Sequence, residues 1–206
     1  TGNPFFTTQM TTTPNSIIAP DGTLTGMQLI ENTATNVSHY LGGGITVTAN
    51  SMYLPYTSSI YVKANTRTCY ALALKEYLTY NQQAYAHFDV ANNVVLTTYN
   101  GSTAAVINNA YIVPAGNGWS RCVLTVTVNS AVQNLGFESY ILANTVQGST
   151  SYGYAYTGDG VSNLYVWGPQ LQQSANVTPY TKTIGTAIYK SNTINDLSGS
   201  NRNGTI

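Results

Sequence analysis

Short runs of β-branched and aromatic residues alternate with polar ones along most of the chain: GITVTA, SSIYVKA, AYAHFDV, NVVLTTY, AAVINNAYIV, SRCVLTVTV, ESYILAN, SYGYAYT and NLYVWG. A period of two sends successive side chains to opposite faces, so each run predicts a strand with one buried face. Between the runs stand Asp21-Gly22, Asn92-Asn93, Asn100-Gly101, Asn117-Gly118 and Gly158-Asp159-Gly160. These residues tolerate positive φ where a chain reverses, and they read first as connectors. Only residues 70–80, YALALKEYLTY, carry enough Leu, Ala, Lys and Glu for a helix, and they alternate well enough to be a strand instead. Many short strands at this spacing predict an all-β fold, a two-sheet antiparallel sandwich. No repeat of a solenoid or propeller is present.

Composition changes the surface rather than the core. Charged residues make up 7% of the chain, against roughly 25% in average soluble proteins. Hydrophobic residues reach 43%, enough to close a core, so Thr, Ser, Asn, Gln, Gly and Tyr must form the exterior. Seven Lys+Arg balance seven Asp+Glu without a basic cluster. That leaves no footprint for phosphate neutralisation or anionic lipid, and no nucleic-acid or membrane partner is expected. No apolar run approaches the roughly 18 residues that span a bilayer. Thr1 in place of Met reads as the start of a processed product or of an excerpt.

Candidate chemistry is sparse. Cys69 and Cys122 each sit in a strand pattern and read as buried free thiols, or as a disulfide if their strands come together. With His39 and His87 they lack zinc-ligand spacing, so neither metal nor cofactor is expected. Asp21, Glu31, Glu76, Asp89, Glu138, Asp159 and Asp196 are isolated from one another, and nothing singles out a glycosidase pair. No nucleophile elbow appears, and LGGGI at 41–45 is too short for a phosphate loop and lacks Lys. No catalytic residue is assigned, and the two histidines read as structural or exposed. The sequons at Asn36, Asn100, Asn176 and Asn203 match what chance gives in so Asn- and Thr-rich a chain.

Binding is better supplied. Tyr152, Tyr154 and Tyr156 alternate at period two, about 7 Å apart on one strand face. Such a row would stack on the apolar face of a sugar; equally, it would fit a core or a subunit contact.

Four segments in order, APDGTLTGMQL, SIYVKANTRT, NGWSRCVLTV and TGDGVSNLYVWGPQLQQ, resemble the signature of a jelly-roll family of phage tail and other virion proteins related to secreted carbohydrate-binding modules. They span residues 20–180, and the resemblance implies one jelly-roll domain over residues 1–180. Pro169 and Gln172 depart from the family's Ala and Glu, so a calcium or partner role for that carboxylate has no residue here. The resemblance also implies that Trp119 and Trp167 are core, with Pro169 and Leu171 on the face of Trp167. Arg121, on Trp119's side of its strand, is expected to pair with a carboxylate such as Asp159. Residues 181–190 read as a linker, and NDLSGSNRNGTI resembles the opening of a concanavalin-type lectin-like domain. Residues 181–206 are thus expected to be a linker with the start of a second domain.

The resulting expectation is a non-enzymatic structural or decoration domain of a phage-like virion, in capsid or tail. Its partners would be identical subunits, other virion proteins and glycans. The alternative is an extracellular carbohydrate-binding module of a secreted enzyme or adhesin.

Overall fold

A computed structural model describes residues 5–46, 54–77, 83–101, 105–128, 134–143, 155–183, 193–194 and 204–205. The strand pattern resolves into β1 (Phe5–Thr8), β2 (Met10–Ile17), β3 (Gly26–Glu31), β4 (His39–Thr46), β5 (Leu54–Ala64) and β6 (Cys69–Glu76). There follow β7 (Gln83–Asp89), β8 (Val94–Asn100), β9 (Ala105–Gly116), β10 (Trp119–Val128), β11 (Asn134–Ile141) and β12 (Asn163–Gln172). Two short strands, β13 (Thr193–Ile194) and β14 (Gly204–Thr205), pair with each other in the C-terminal stretch. The helix-compatible segment is strand β6 up to Glu76: Tyr70, Leu72 and Leu74 face one way and Cys69, Ala71 and Ala73 the other, which a helix could not arrange.

Two six-stranded sheets face each other, with orders β1-β4-β11-β6-β7-β8 and β2-β3-β12-β5-β10-β9, here called the first and second sheets. All their pairings are antiparallel. The expected all-β two-sheet sandwich is therefore formed. Its turns carry the expected backbone: φ is positive at Gly22, Asn93, Asn117, Gly118 and Gly160.

The core lies between the sheets. The first contributes Leu41, Tyr70, Leu72, Leu74, Phe88, Phe137 and Ile141, and the second Leu29, Ile60, Val62, Leu124, Val126, Leu164 and Val166. Most of these side chains are fully buried, and each removes about 1.5–3 kcal/mol worth of apolar surface from water. Tyr70 enters this core with its hydroxyl 2.7 Å from Ser139 Oγ, so the polar tip is satisfied. Both cysteines are buried free thiols, Cys122 in this core and Cys69 on the outer side of the first sheet.

Two expectations need correction. Trp119 is core-like, 2% exposed, with its indole N–H donated to the Ile18 carbonyl at 3.0 Å. Trp167 is not: it lies half-buried on the outer face of the second sheet, against Tyr61 and Tyr180, and bonds Thr25 Oγ1. The cause is a bulge. Register against β5 slips between Trp167 and Gln170, where Gly168 holds φ +59. One extra residue reverses the alternation, so Leu171 returns to the core while Trp167 stays outside. Arg121 is also elsewhere than expected. It donates to Ser59 Oγ and the Thr178 carbonyl and lies over Tyr61, while Asp159 sits near Arg67.

After β12 the chain folds back over that outer face. Thr57 Oγ1 donates to the Ser174 carbonyl, Arg121 to that of Thr178, and the Thr181 amide to Gln170 Oε1, while Tyr180 stacks 4.5 Å from Trp167. Replacing Gly168 with Ala places a methyl 3.1 Å from the Tyr180 ring at a left-handed backbone position. Gly168→Ala is expected to destabilise the fold by about 1–2 kcal/mol, read as a lowered urea midpoint.

Candidate functional site

Two constellations stand out from the rest of the molecule. The first closes one end of the sandwich. Glu31, at the end of β3, is 1% exposed and accepts Arg67 Nε at 2.9 Å on one oxygen and Arg67 Nη2 at 2.6 Å on the other. The same carboxylate accepts the Tyr156 hydroxyl at 2.7 Å and the Asp159 amide at 2.9 Å. All of its acceptor capacity is directed at donors, which is what a buried charge requires. Arg67 also lies over the Tyr156 ring, its guanidinium carbon 5.4 Å from the ring centre. Bonding to Glu31 raises the Arg67 pKa, whereas burial and then the same carboxylate raise that of Tyr156. Asp159 is held well below the usual carboxylate range by the Ser162 hydroxyl and the Ser162 and Val161 amides.

His39 packs on Tyr156 at 4.6 Å between ring centres, and its Nδ1 faces the Gln9 carbonyl. Gly158 fits against this group only because it has no side chain: a Cβ there would lie 1.9 Å from the Asn32 carbonyl oxygen. The network thus fastens together the β1–β2 crossover, the β3–β4 loop, the β5–β6 loop and the segment entering β12. Glu31, Arg67, Tyr156 and Asp159 are engaged with one another, which makes this a structural lock, while the buried His39 Nε2 has no hydrogen-bond partner among the described residues.

Of the predicted tyrosine row, Tyr152 and Tyr154 lie outside the described residues. Tyr156 is half-buried, its backbone bridged to Val37 and its hydroxyl committed to Glu31.

The second constellation runs across the outer face of the first sheet. Ring centres are 6.2 Å apart from Phe6 to Tyr40, 5.0 Å from Tyr40 to Tyr140, 6.3 Å from Tyr140 to Tyr85 and 6.2 Å from Tyr85 to Tyr99. These five rings come from β1, β4, β11, β7 and β8. β11 and β7 are separated by β6, so their side chains should stand roughly 10 Å apart. They meet because β6 puts Ala71 opposite Tyr140 and Ala73 opposite Tyr85. Gly42 does the same on β4, where a Cβ would collide with the Phe6 ring.

Polar groups flank the lane. Lys75 Nζ donates to Glu138 Oε2 at 2.9 Å, the Tyr140 hydroxyl donates to the same oxygen, and the Tyr85 hydroxyl donates to Gln83 Oε1 at 3.0 Å. Tyr85 and Tyr140 are 1% and 5% exposed, whereas Phe6 is 43% exposed and Tyr40 and Tyr99 are half-buried. The lane is therefore closed at its middle and open at both ends. His87, fully buried on this face, has its pKa lowered from 6.5 to about 4 by desolvation. Tyr140 is raised, first by burial and then by Glu138.

No sequence reading found this lane. Its members lie on five strands, and each taken alone is one tyrosine in an alternating run. The usable signal was local to β7, where Gln83, Tyr85 and His87 share one face and Ala84, Ala86 and Phe88 the other.

Two further grooves open on the second sheet. One, about 360 Å³, is lined by Lys63, Asn93, Trp119 and Ser120; the other, about 310 Å³, by Tyr61, Tyr111, Arg121 and Val177. Their cations are occupied, Lys63 by the Asn117 carbonyl and Arg121 by Ser59 and Thr178.

Glu31→Gln leaves Arg67 without its anionic partner and is expected to cost about 3 kcal/mol by urea denaturation, with part recovered in the double variant Glu31→Gln, Arg67→Met. His87 gives a pH signature. Between pH 6.5 and about 4 the unfolded chain takes up a proton that folded His87 refuses. Its contribution is complete above pH 6.5 and is lost on acidification, with a slope of at most about 1.4 kcal/mol per pH unit. Equilibrium unfolding across that window should show this slope flattened in His87→Gln.

No family model matches the chain, and no curated protein does. Among solved structures, the crystal structure of the bacteriophage CBA120 tailspike protein 4 enzymatically active domain aligns over 81% of this chain with 11% identity and a TM-score of 0.38. This chain spans 18% of that one, and a likeness of this size transfers neither fold nor role.

Proposed function

We propose that this chain is a non-enzymatic, jelly-roll domain of a phage-like virion that presents the first sheet's aromatic lane to glycans. The observation that carries the binding part is the pair of open ends of the lane: Phe6 with Tyr40, and Tyr99, reach the surface on either side of the buried Tyr85 and Tyr140. Flat rings match the C–H faces of sugars, and phenolic hydroxyls exchange hydrogen bonds with sugar hydroxyls. A neutral surface also suits neutral ligands, since no net field selects a charged one. The first contact would be at the open ends, Phe6 with Tyr40 and Tyr99. The virion setting and the jelly-roll class are supported by the four ordered sequence segments, and placement in capsid or tail follows from the same resemblance.

The non-enzymatic part is supported by where the carboxylates are held. Glu31 is locked to Arg67, and Glu138 accepts Lys75 and Tyr140. Asp21 receives the Thr23 amide and hydroxyl, Asp89 receives Asn92, and Asp159 receives Val161 and Ser162. Each of these has a structural task, whereas glycoside hydrolysis needs two facing carboxyl groups about 5–9.5 Å apart, free to exchange protons and attack or activate water.

A glycan array is expected to give selective binding to neutral sugars without cleavage products. Tyr40→Ala, at the open end, should weaken that binding about 3- to 10-fold, the size of one lost aromatic contact, in a chain that stays folded with a midpoint lowered by the packing lost against Tyr140. Undiminished binding in Tyr40→Ala would remove the lane from the proposal.

A further inference from the structure

We infer that β9 is a self-association edge, along which two copies of this chain join their second sheets by antiparallel β9 pairing. The inference is independent of the glycan reading, because β9 belongs to the other sheet.

The four edge strands are not alike. β1 has four residues. β2 is broken by Pro14, by Asn15 at φ 53 and by a slipped register between Thr13 and Ile17. β8 has seven residues and its own register shift opposite His87 and Phe88. β9 has 12 residues, and Asn109 to Pro114 run in unbroken register against β10. Among the described residues no strand pairs with its far side. A long edge strand displays a row of amide and carbonyl groups ready for another strand, and proteins ordinarily protect such edges with charge, proline or brevity. Here Pro114 and the register shifts on either side of residues 109–114 interrupt it, and Asn109 to Val113 remain as a regular run with neither charge nor proline.

The side chains favour burial of this edge. Val106 and Val113 on β9 are 45% and 46% exposed, and Val94 on the adjoining edge strand β8 is 46% exposed. Val106 and Val113 stand on the outer face of the second sheet, opposite Thr127 and Arg121 of β10, and Val94 lies across the flank that the two edge strands form.

Charge points to a second copy as the occupant. From Val90 to Ser120 the chain holds no Asp, Glu, Lys, Arg or His, so the flank carries no code by which a differently charged partner would be chosen. The same neutrality lets the surface meet itself about a two-fold axis without like-charge repulsion. With Ile112 at the axis, Tyr111 of each copy stands opposite Val113 of the other, pairing an aromatic with a β-branched residue as strands prefer.

The test is sedimentation equilibrium of the full chain over a concentration series, with Val113→Lys, Val106→Lys and, as a control on an exposed residue outside the strands, Val161→Lys. The expected result is a dimer whose dissociation constant rises about tenfold or more in both β9 variants and is unchanged in the control. Hydrogen exchange of the unaltered chain supplies a reading that does not depend on any variant folding: amides in 109–113 should exchange more slowly as concentration rises. A monomer at every concentration, a dimer unaffected by Val113→Lys, or concentration-independent exchange in 109–113 would each overturn the proposal.

Discussion

The buried pair of Glu31 and Arg67 is the constraint on which one end of the sandwich depends. A carboxylate that is 1% exposed is tolerable only if every lone pair has a donor, and here the donors come from other connections of the chain. That requirement fixes the segment entering β12 against the β5–β6 loop, and so sets where β12 inserts between β3 and β5. The insertion determines the second sheet's order, while Gly158 and His39 bring the first sheet's β4 to the same junction. A network of this kind contributes more to choosing one arrangement than to raising net stability.

The same economy of charge shapes the surface. Glu138 and Lys75 are also largely buried and paired, and Asp21, Asp89 and Asp159 hold turns. Few charges remain for the exterior, which is left to Thr, Asn, Gln and Tyr. What distinguishes one face from another is then shape and aromatic content: a tyrosine lane over the first sheet, a strap over the second, and an uncharged edge at β9. The lane exists because β6 supplies alanines where a larger side chain would hold β7 and β11 rings apart.

Much of the fold was legible because its determinants are local. Alternation marked the strands, and Asn or Gly at the reversals marked the turns, with Asn93, Asn117 and Gly118 adopting the backbone their residue types favour. Trp167 was misplaced because alternation assumes an unbroken strand, and the bulge at Gly168 leaves only a Gly-Pro pair as its trace. Arg121 found Ser59 and the returning strap rather than Asp159, since its partner depends on strand order, which no local pattern encodes. The aromatic lane was invisible for the same reason, and Tyr156 looked like a member of a row although its hydroxyl serves Glu31.

The central claim is that the first sheet's aromatic face meets sugars while the carboxylates remain structural. The most direct measurement is the NMR spectrum of aromatic ring protons during titration with neutral oligosaccharides, with the sugar followed in the same tube. The account predicts shifts beginning at Phe6, Tyr40 and Tyr99, an unperturbed Tyr156, and an intact oligosaccharide throughout. Shifts confined to the second sheet, or new reducing ends appearing in the sugar spectrum, would contradict it.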